Sequence, residues 1–345
     1  MSVHVVDPLT DNRWEELVAR HPKASVFHKN GWLKALHLTY GYEPFVVTSA
    51  APSEDMNDGM VFCRIHSWAT GTRAVSLPFA DHCEPLVEES RTMVDFLEWL
   101  QAERLREEWK YLEFRPLAPF GPLKSRSQSS PPYCCHELDI TPCLEDIFHH
   151  LHRDCIRRKI RRAQRERLSY EVGRTPGLLE EFYQLLLISR RRLGILPQPQ
   201  DWFRNLLQCM GDDLHIRVVR KEGTPIAAIL TLNHHRSVVY KYGCSNPRFH
   251  KSGGIPFLFW KLIEESKALG AERIDFGRSD SWNDGLIRFK DRFGTRKHAL
   301  TYYRYPSDTK GPIESHTRRN VRHLISMIPD SISAVLGRIL YRHVG

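Results

Sequence analysis

The sequence predicts an α/β protein with mixed sheets, built from two similar halves. Each half contains a strand, a polar loop, an apolar-faced helix and a second strand, in that order. The two closing strands are alike, because residues 109–115 and 272–278 each follow a predicted helix and each place an acidic residue directly before Phe. A chain of 345 residues is long enough for two domains. A duplicated βαβ-containing unit follows from these observations.

Composition limits the classes of protein to consider. The chain is 41% hydrophobic and 26% charged, and it has neither an amino-terminal signal pattern nor an apolar run of membrane-spanning length. Its eight cysteines form no C-x-x-C pair, which is typical of reduced thiols. We therefore expect a cytoplasmic protein. The net charge of +9 predicts attraction to polyanions: nucleic acid, anionic lipid or phosphate-bearing cofactors.

The elements of the first half follow from hydrophobic periodicity. Two opening helices are predicted over residues 14–18 and 32–38, and strands over residues 44–48 and 60–65. The repeated unit then begins. Its predicted elements are a strand over 73–77, a helix over 91–108 and a strand over 110–115.

The second half repeats this order after a Ser- and Pro-rich loop over residues 121–133. A long helix is predicted over residues 143–168, and its stretch 153–167 is densely basic. The repeated unit is a strand over 238–243, a loop ending at Gly254, a helix over 256–269 and a strand over 273–277. The tail predicts two amphipathic helices, over 321–328 and 332–340, broken at Pro329.

The loop before Gly254 is a candidate phosphate site. Glycine lets the backbone approach a ligand closely, and the following helix start offers unpaired N–H groups to a pyrophosphate. Arg248 and Lys251 add positive charge, and Ser252, Gly253 and Gly254 stand where a phosphate-cradling turn is needed. The structural alternative is a basic surface loop followed by a helix whose Pro256 lies in its first turn.

A second candidate site follows the strand over 273–277. Asp275, Arg278 and Asp280 put polar groups at the carboxyl edge of a sheet, where open α/β sheets bind ligands. Lys290 lies between Phe289 and Phe293 and is placed to present an ammonium that stabilises an oxyanion or a phosphate. The alternative is a surface ion pair with its charged neighbours.

The first half has its own polar loop over residues 76–85. Asp81 and His82 lie in it, and a carboxylate there is suited to orient or deprotonate an amine. A plain turn with a hydrogen-bonded histidine is the alternative. The adjacent Cys134, Cys135 and His136 have no second ligand pair in the sequence, so we expect no metal site.

These motifs, in this order, resemble the FemAB-related branch of the GNAT acyltransferases. The resemblance rests on residues 76–83, 157–163, 190–194, 240–245, 275–279 and 285–294, and it covers nearly the whole chain. The same branch includes CelD-like proteins and proteins associated with exosortase and exopolysaccharide gene clusters. It implies tandem GNAT-like lobes. We expect these at residues 1–142 and 143–306, followed by an amphipathic helical tail over 307–345.

The resemblance also implies an enzyme, an acyltransferase that moves an acyl group from acyl-CoA to an amine of a cell-envelope or exopolysaccharide precursor. A Fem-type peptidyltransferase that uses aminoacyl-tRNA and a peptidoglycan precursor is the alternative. The second alternative is a catalytically silent GNAT-like protein that binds RNA or a membrane. No metal is expected, and the tail predicts contact with the inner membrane face, which would suit a lipid-linked acceptor.

Residue roles follow in the same way. Lys290 matches the lysine of the Fem-type reaction centre, and Ser252, Gly253 and Gly254 match the donor phosphate loop of GNAT enzymes. Lys251 replaces the first glycine of the usual donor pattern. The remaining candidates come from the residues themselves: Asp81, Asp275 and Tyr242 for catalysis, and His82, Tyr240, Arg278 and Asp280 for substrate binding.

Overall fold

The structure is a computed structural model that describes residues 2–118, 128–129, 133–306 and 324–344. The chain forms two compact units. The first comprises Met1–Pro132, Leu300–Ile313 and Arg338–Gly345, and the second comprises Tyr133–Ala299 and Glu314–Gly337.

The first unit is built on a seven-stranded mixed sheet in the order β1-β2-β3-β4-β5-β14-β6. Its helix α3, Ser90–Arg106, connects β4 to β5, which pair in parallel. The other elements are β1 His4–Val6, α1 Asn12–Arg20, α2 Asn30–Tyr40, β2 Glu43–Thr48, β3 Met60–Ile65, β4 Arg73–Val75, β5 Leu112–Phe114, β6 Gln128–Ser129 and β14 Tyr303–Tyr305.

Local sequence explains where the first helices begin and end. Asp11 caps α1 by accepting a hydrogen bond from the N–H of Arg13, and α2 ends at Gly41 in the left-handed conformation. The apolar face of α3 packs on the sheet through Phe96 and Leu100, beside Trp109. Burial of each such side chain stabilises the fold by about 1.5–3 kcal/mol.

The second unit is built on another seven-stranded sheet, in the order β13-β7-β12-β11-β10-β9-β8. Its strands are β7 Tyr133–Asp139, β8 Ser169–Gly173, β9 Leu214–Lys221, β10 Thr224–His234, β11 Ser237–Ser245, β12 Arg273–Asp280 and β13 Arg296–Leu300. The helices are α4 Leu144–His150, α5 Arg158–Arg165, α6 Pro176–Leu193, α7 Gln200–Met210, α8 Gly254–Ala268 and α9 Asp284–Asp291, and the last helix of the chain is α10 Asp330–Tyr341.

Helices cover both faces of this sheet. Helices α5 and α8 share a buried cluster with Ile274 and Phe276 of β12, so they lie on one face. The opposite face carries α6, because the thiol of Cys244 in β11 donates to the carbonyl of Phe182 in that helix. As in the first unit, a helix joins two parallel strands, here α8 between β11 and β12. The duplicated βαβ unit predicted from the sequence is therefore present.

Two features differ from the sequence-based expectation. The single helix predicted over residues 143–168 is wrong, because α4 ends at the extended Leu151, a π-helical turn over Arg153–Arg157 follows, and only then does α5 begin. The N–H of His152 donates to the carbonyl of Arg292, which fixes the break. Strand β7 pairs antiparallel with β12, so its residues belong to the second unit, whereas the expected boundary lay after residue 142.

The predicted tail helices lie partly outside the described residues. Residues 324–327 are helical, residues 321–323 are outside the described part of the chain, and α10 contains the second predicted helix.

Candidate active site

Two parallel strands of the second unit separate at its centre. Strands β11 and β12 pair only at Ser237, Val238 and Val239, opposite Arg273, Ile274 and Asp275. Beyond Val239 the backbone of β11 has no residue of β12 paired with it. Backbone polar groups at the carboxyl ends of the two strands are therefore available to a ligand.

A bulge marks the same point of β11. Tyr240 pairs with Thr231 and Tyr242 pairs with Leu230, so Lys241 is the extra residue. A bulge leaves one residue unpaired and redirects the chain, and it is common beside active sites. The bulge therefore turns β11 where it leaves β12.

The loop after β11 reaches the start of α8 through a short 3-10 helix, Pro247–Ser252. Gly253 has a φ of +82°, and a Cβ there would lie 2.5 Å from the carbonyl oxygen of Lys159. Gly254, the first residue of α8, packs against Ala227, whose Cβ would lie 3.1 Å from an added Cβ. The first position requires glycine, whereas at Gly254 an added Cβ would need its neighbours to shift by a few tenths of an ångström.

A cavity of about 260 Å³ opens at the N-terminus of α8. Apolar side chains from five elements form most of its wall, including Ile156, Ile226, Phe249 and Phe289. Its polar and charged lining comes from Ser245, Cys155, Lys159, His250 and Arg292. No carboxylate lines it, so the cavity is suited to an apolar group joined to an anion.

Few groups of the protein itself compete with a ligand for the cations at this cavity. Lys159 and Arg292 are exposed, and among the described residues neither side chain has an ion-pair or hydrogen-bond partner. The ring of His250 shares a hydrogen bond of 3.0 Å with the hydroxyl of Ser245. Burial, together with the charges of Arg192 and Lys159, lowers the pKa of His250. The two unpaired cations thus favour an anionic ligand.

Arg190 adds a further cation near the end of β11. Its Nε is buried without a hydrogen-bond partner in the described part of the chain. Burial raises the pKa of Tyr240 and of Cys244, and the charge of Arg190 opposes this at both side chains. A buried donor without a hydrogen-bond partner costs free energy, although the Arg190 side chain as a whole is only half-buried.

Lys290 is buried rather than presented to solvent. Its side chain is 1% exposed, and its ammonium donates to the carbonyls of Gly277, at 2.7 Å, and Arg278, at 3.1 Å. These carbonyls belong to a bulge of β12 between Asp275 and Arg278. Through these two hydrogen bonds the ammonium fixes the backbone of β12 at its bulge.

His136 lies beside this lysine. Its ring is fully buried, and its Nε2 is 3.2 Å from an oxygen of Asp291. Burial and the charge of Lys290 lower the pKa of His136, and Asp291 opposes this. Within the described residues no three His, Cys, Asp or Glu side chains are grouped to hold a metal ion.

The predicted tyrosines lie on opposite faces of the sheet. Tyr240 contacts Phe259 on the α8 face, with ring centroids 4.7 Å apart. The hydroxyl of Tyr242 accepts a hydrogen bond from Nε1 of Trp202 in α7. Asp275 lies in β12 between two residues of the α8 face, so alternation places it on the same face as Tyr242. Its carboxylate accepts from the N–H of Gly277 at 2.7 Å.

The other predicted residues around the loop are dispersed. Arg248 and Lys251 are exposed, and Ser252 is buried, where its hydroxyl bonds Glu166. Of the predicted loop residues, only Gly254 lines the cavity. Arg278 places its guanidinium 4.3 Å from the ring centroid of Tyr133. Asp280 ends β12, and its carbonyl accepts from the N–H of Asn283.

Asp81 and His82 belong to the first unit. Their loop bends sharply, because Leu77 and Phe79 have positive φ angles. The hydroxyl of Tyr302 donates to the carbonyl of Asp81 at 2.7 Å, and the ring of His82 packs edge-on against Phe27.

The sequence prediction missed Lys159, His250 and Arg292 as members of one site. Lys159 lies in the densely basic stretch over residues 153–167, and its spacing from Gly254 gives no sign of contact. The helical repeat of residues 156, 160 and 163, all buried, offered the one signal, because it fixes which side of α5 packs on α8.

Comparisons with known proteins give a consistent fold. Residues 151–291 match the family model described as an acetyltransferase (GNAT) domain. The structure is similar to that of FemX, with 13% identity over 95% of this chain and 100% of that chain and a TM-score of 0.69. It is also similar to a tandem GNAT protein from the clavulanic acid biosynthesis pathway, with 11% identity over 90% and 100% and a TM-score of 0.55.

A third similar structure is the C-terminal domain of a putative lysylphosphatidylglycerol synthetase from Agrobacterium fabrum. It shares 15% identity over 91% of this chain and 94% of that chain, with a TM-score of 0.56. A comparison with curated protein sequences found no match.

These findings confirm the predicted tandem GNAT-like fold and the resemblance to the FemAB-related branch. At the level of activity, the match of residues 151–291 to an acetyltransferase domain supports acyl transfer, whereas the similar structures show the fold. Among the described helices, none is long and apolar enough to span a membrane.

Proposed function

From the acetyltransferase domain of residues 151–291 and the tandem fold, we propose that this protein is an N-acyltransferase. It transfers an acyl group from acyl-CoA to an amine of a cell-envelope or exopolysaccharide precursor. The observation that carries the proposal is the cavity at the N-terminus of α8, which is also lined by Ser245, the last residue of β11. Its apolar lining suits an acyl or pantetheine chain, and Lys159 and Arg292 suit the phosphates.

The reaction is a direct transfer. The neutral amine attacks the thioester carbonyl, the carbonyl oxygen becomes an oxyanion, and collapse of the intermediate breaks the C–S bond and releases the thiolate. Backbone N–H groups of β11 beyond Val239 donate to the oxyanion. The nitrogen loses a proton, and the departing sulfur gains one.

Asp275 is the carboxylate we assign to proton transfer from the amine. It is the last residue of β12 that pairs with β11, and it lies on the face of the sheet that also carries Tyr242. Lys290 acts as a positioning residue, because its ammonium fixes the carbonyls of Gly277 and Arg278 directly after Asp275. Asp81 remains a candidate within the first unit.

An aminoacyl-tRNA donor is the second candidate, and the exposed cations next to the cavity favour it. Arg153, Arg158, Arg161 and Arg165 are all exposed on the same stretch of chain as Lys159. This basic surface suits a nucleic-acid backbone. The absence of a carboxylate among the cavity's lining residues favours acyl-CoA, because the ammonium of an aminoacyl group would need a counter-charge.

The envelope acceptor is supported by two of the similar structures, one called FemX and one named as a putative lysylphosphatidylglycerol synthetase. A lipid-linked amine would suit a protein that works at a membrane surface.

A donor comparison tests the proposal. The protein is mixed with amino-sugar or peptidoglycan-precursor acceptors and either acetyl-CoA, longer acyl-CoAs or charged tRNA. Product is followed by mass spectrometry, with Lys159→Glu as the site variant and Lys34→Glu, at another exposed lysine, as its control. We expect CoA-dependent product that Lys159→Glu reduces. Product from charged tRNA alone would establish the second candidate, and salt-dependent RNA binding without product from any donor would indicate a silent binding protein.

A further inference from the structure

A second cleft adjoins the cavity at the start of α8. It has a volume of about 320 Å³, lies wholly within the second unit and shares Arg292 with the cavity. Its walls come from the ends of α4 and α9 and from the short break that follows α4. The lining residues are His150, His152, Arg288, Asp291 and Arg292. Four basic side chains and one carboxylate therefore line this cleft.

The break between α4 and α5 builds this cleft. The extended Leu151 separates His150, the last residue of α4, from His152, which caps the π-helical turn. The N–H of His152 donates to the carbonyl of Arg292 at 2.9 Å, and a Cβ on Gly294 would lie 3.7 Å from the carbonyl oxygen of His150. In a continuous helix, residues two apart do not share a face, so the break is what brings both histidines to the end of α9. Helical irregularities of this kind are frequent at functional sites.

The arginines of this cleft keep donors for a ligand. Both are exposed, and among the described residues the guanidinium of Arg292 has no partner. Arg288 uses only its Nε, which donates to the carbonyl of Asp284 at 3.2 Å within its own helix. An oxygen of Asp291 lies 3.2 Å from Nε2 of the buried His136, and in the described part of the chain Asp291 forms no ion pair with either arginine. The cleft is therefore suited to an anion.

The two histidines are oriented by hydrogen bonds at Nδ1. Nδ1 of His152 accepts from the N–H groups of Asp154 and Cys155, at 3.3 and 3.2 Å, so the neutral ring carries its proton on Nε2. Nδ1 of His150 lies 2.7 Å from the carbonyl oxygen of Asp146 and is the donor in that pair. His152 thus keeps an N–H for an anion even when it is uncharged, whereas His150 does so only when it is protonated.

We propose that this cleft binds the ribose 3′-phosphate of the acyl-CoA donor. The inference rests on the proposed function, in which the cavity takes the pantetheine arm and the pyrophosphate. Arg292 lines both sites, so a phosphate beyond the pyrophosphate reaches the second cleft, where Arg288 and Nε2–H of His152 donate to its oxygens. Attraction of cations to helix C-termini would account for His150 and Arg288, but not for His152, which lies beyond the end of α4.

Two ligands that differ by one phosphate test this inference. The full chain is titrated calorimetrically with CoA and with dephospho-CoA, which lacks the 3′-phosphate. The test variant is Arg288→Gln. Its matched control is Arg204→Gln, because Arg204 is also an exposed helical arginine that bonds within its own helix, to Asp201 and Gln200. His152→Asn is a second test variant, which keeps an acceptor to cap the π-helical turn but removes the Nε2–H.

We expect wild type to bind CoA about tenfold more tightly than dephospho-CoA. Arg288→Gln should lower the affinity for CoA by about fivefold or more, and His152→Asn by about threefold, while the affinity for dephospho-CoA stays unchanged in both. Arg204→Gln should alter neither affinity. Equal wild-type affinity for the two ligands, a preference for CoA that both test variants retain in full, or equal losses for both ligands in Arg288→Gln would overturn this site and leave the acyl-CoA donor in place. If wild type bound neither ligand, the proposed donor would be wrong, and this assignment with it.

Discussion

The buried ammonium of Lys290 is the residue-scale feature most closely tied to the candidate site. A charged donor that is almost fully buried must have acceptors, and here these are two main-chain carbonyls at the bulge of β12. The sequence predicted an apolar surrounding for this lysine, which Phe293 provides. It did not predict where the ammonium points, because the bulge that presents the carbonyls depends on the pairing of β12 with β7.

Replacing Lys290 by Met tests this role. The two carbonyls lose their donor, so we expect the free energy of unfolding to fall by about 1.5–3 kcal/mol. Lys267→Met is the matched control, because Lys267 also donates to two carbonyls, those of Ile140 and Thr141, but is only half-buried. Lys267→Met should lower the free energy of unfolding by less than about 1 kcal/mol. Equal losses in denaturant titrations would show that burial of the Lys290 ammonium is unimportant.

Glu113 provides a pH-dependent feature of the first unit. It is 2% exposed and lies between Arg115, at 2.7 Å, and Arg304, at 2.6 Å. Burial raises the pKa of its carboxyl, but the two arginines outweigh burial and lower the pKa from 4.5 to about 2. The charged form therefore stabilises the fold above pH 4.5, and this contribution, on the order of 3 kcal/mol, is lost as the pH falls towards 2.

Glu113→Gln should thus destabilise the protein most at neutral pH, and the difference from wild type should shrink as the pH falls from about 4.5 to 2. Chemical denaturation at several pH values measures this, with the exposed Glu16→Gln as control. A difference that stays constant over this range would contradict the assigned pKa.

At the scale of elements, the repeated strand, helix and strand could be predicted because periodicity and order are local signals. The interruption at Leu151 could not be, because the apolar and basic residues on both sides continue a helical pattern. What breaks the helix is a contact distant in sequence, from His152 to Arg292. The loop before α8 shows the same difference between features set by local sequence and features set by distant contacts. Gly254 could be predicted from its place before a helix, whereas Lys159 joins the cavity only through the packing of α5 against α8.

The turn into α8 carries the third prediction. Gly253→Ala places a side chain at a φ of +82° and brings its Cβ against the carbonyl oxygen of Lys159. Gly270→Ala is the matched control, because Gly270 has a φ of +80° and open space around it. We expect backbone strain to lower the free energy of unfolding by about 1 kcal/mol in the control, and we expect a larger decrease in Gly253→Ala. If thermal or denaturant unfolding gave similar losses of stability for the two variants, the close approach of the Lys159 carbonyl would not restrict the residue at position 253.

At the scale of the whole molecule, the net charge of +9 gains meaning from its distribution. This charge predicts an attraction to polyanions, but the sequence alone does not say which cations lack partners in the folded chain. In the described part of the chain, Lys159 and Arg292 at the cavity are two such cations. The phosphate groups of a donor are the chemistry that fits these two cations.

The most direct test of the account is calorimetric titration of the protein with acetyl-CoA. Gly254→Asp puts a carboxylate at the start of α8, inside the cavity, whereas Gly177→Asp makes the same change in the first turn of α6, where there is open space. We expect saturable binding by wild type and by Gly177→Asp, and a loss of at least about tenfold in Gly254→Asp. Equal affinity in Gly254→Asp, or no binding by a wild-type protein that binds charged tRNA, would contradict an acyl-CoA donor at this cavity.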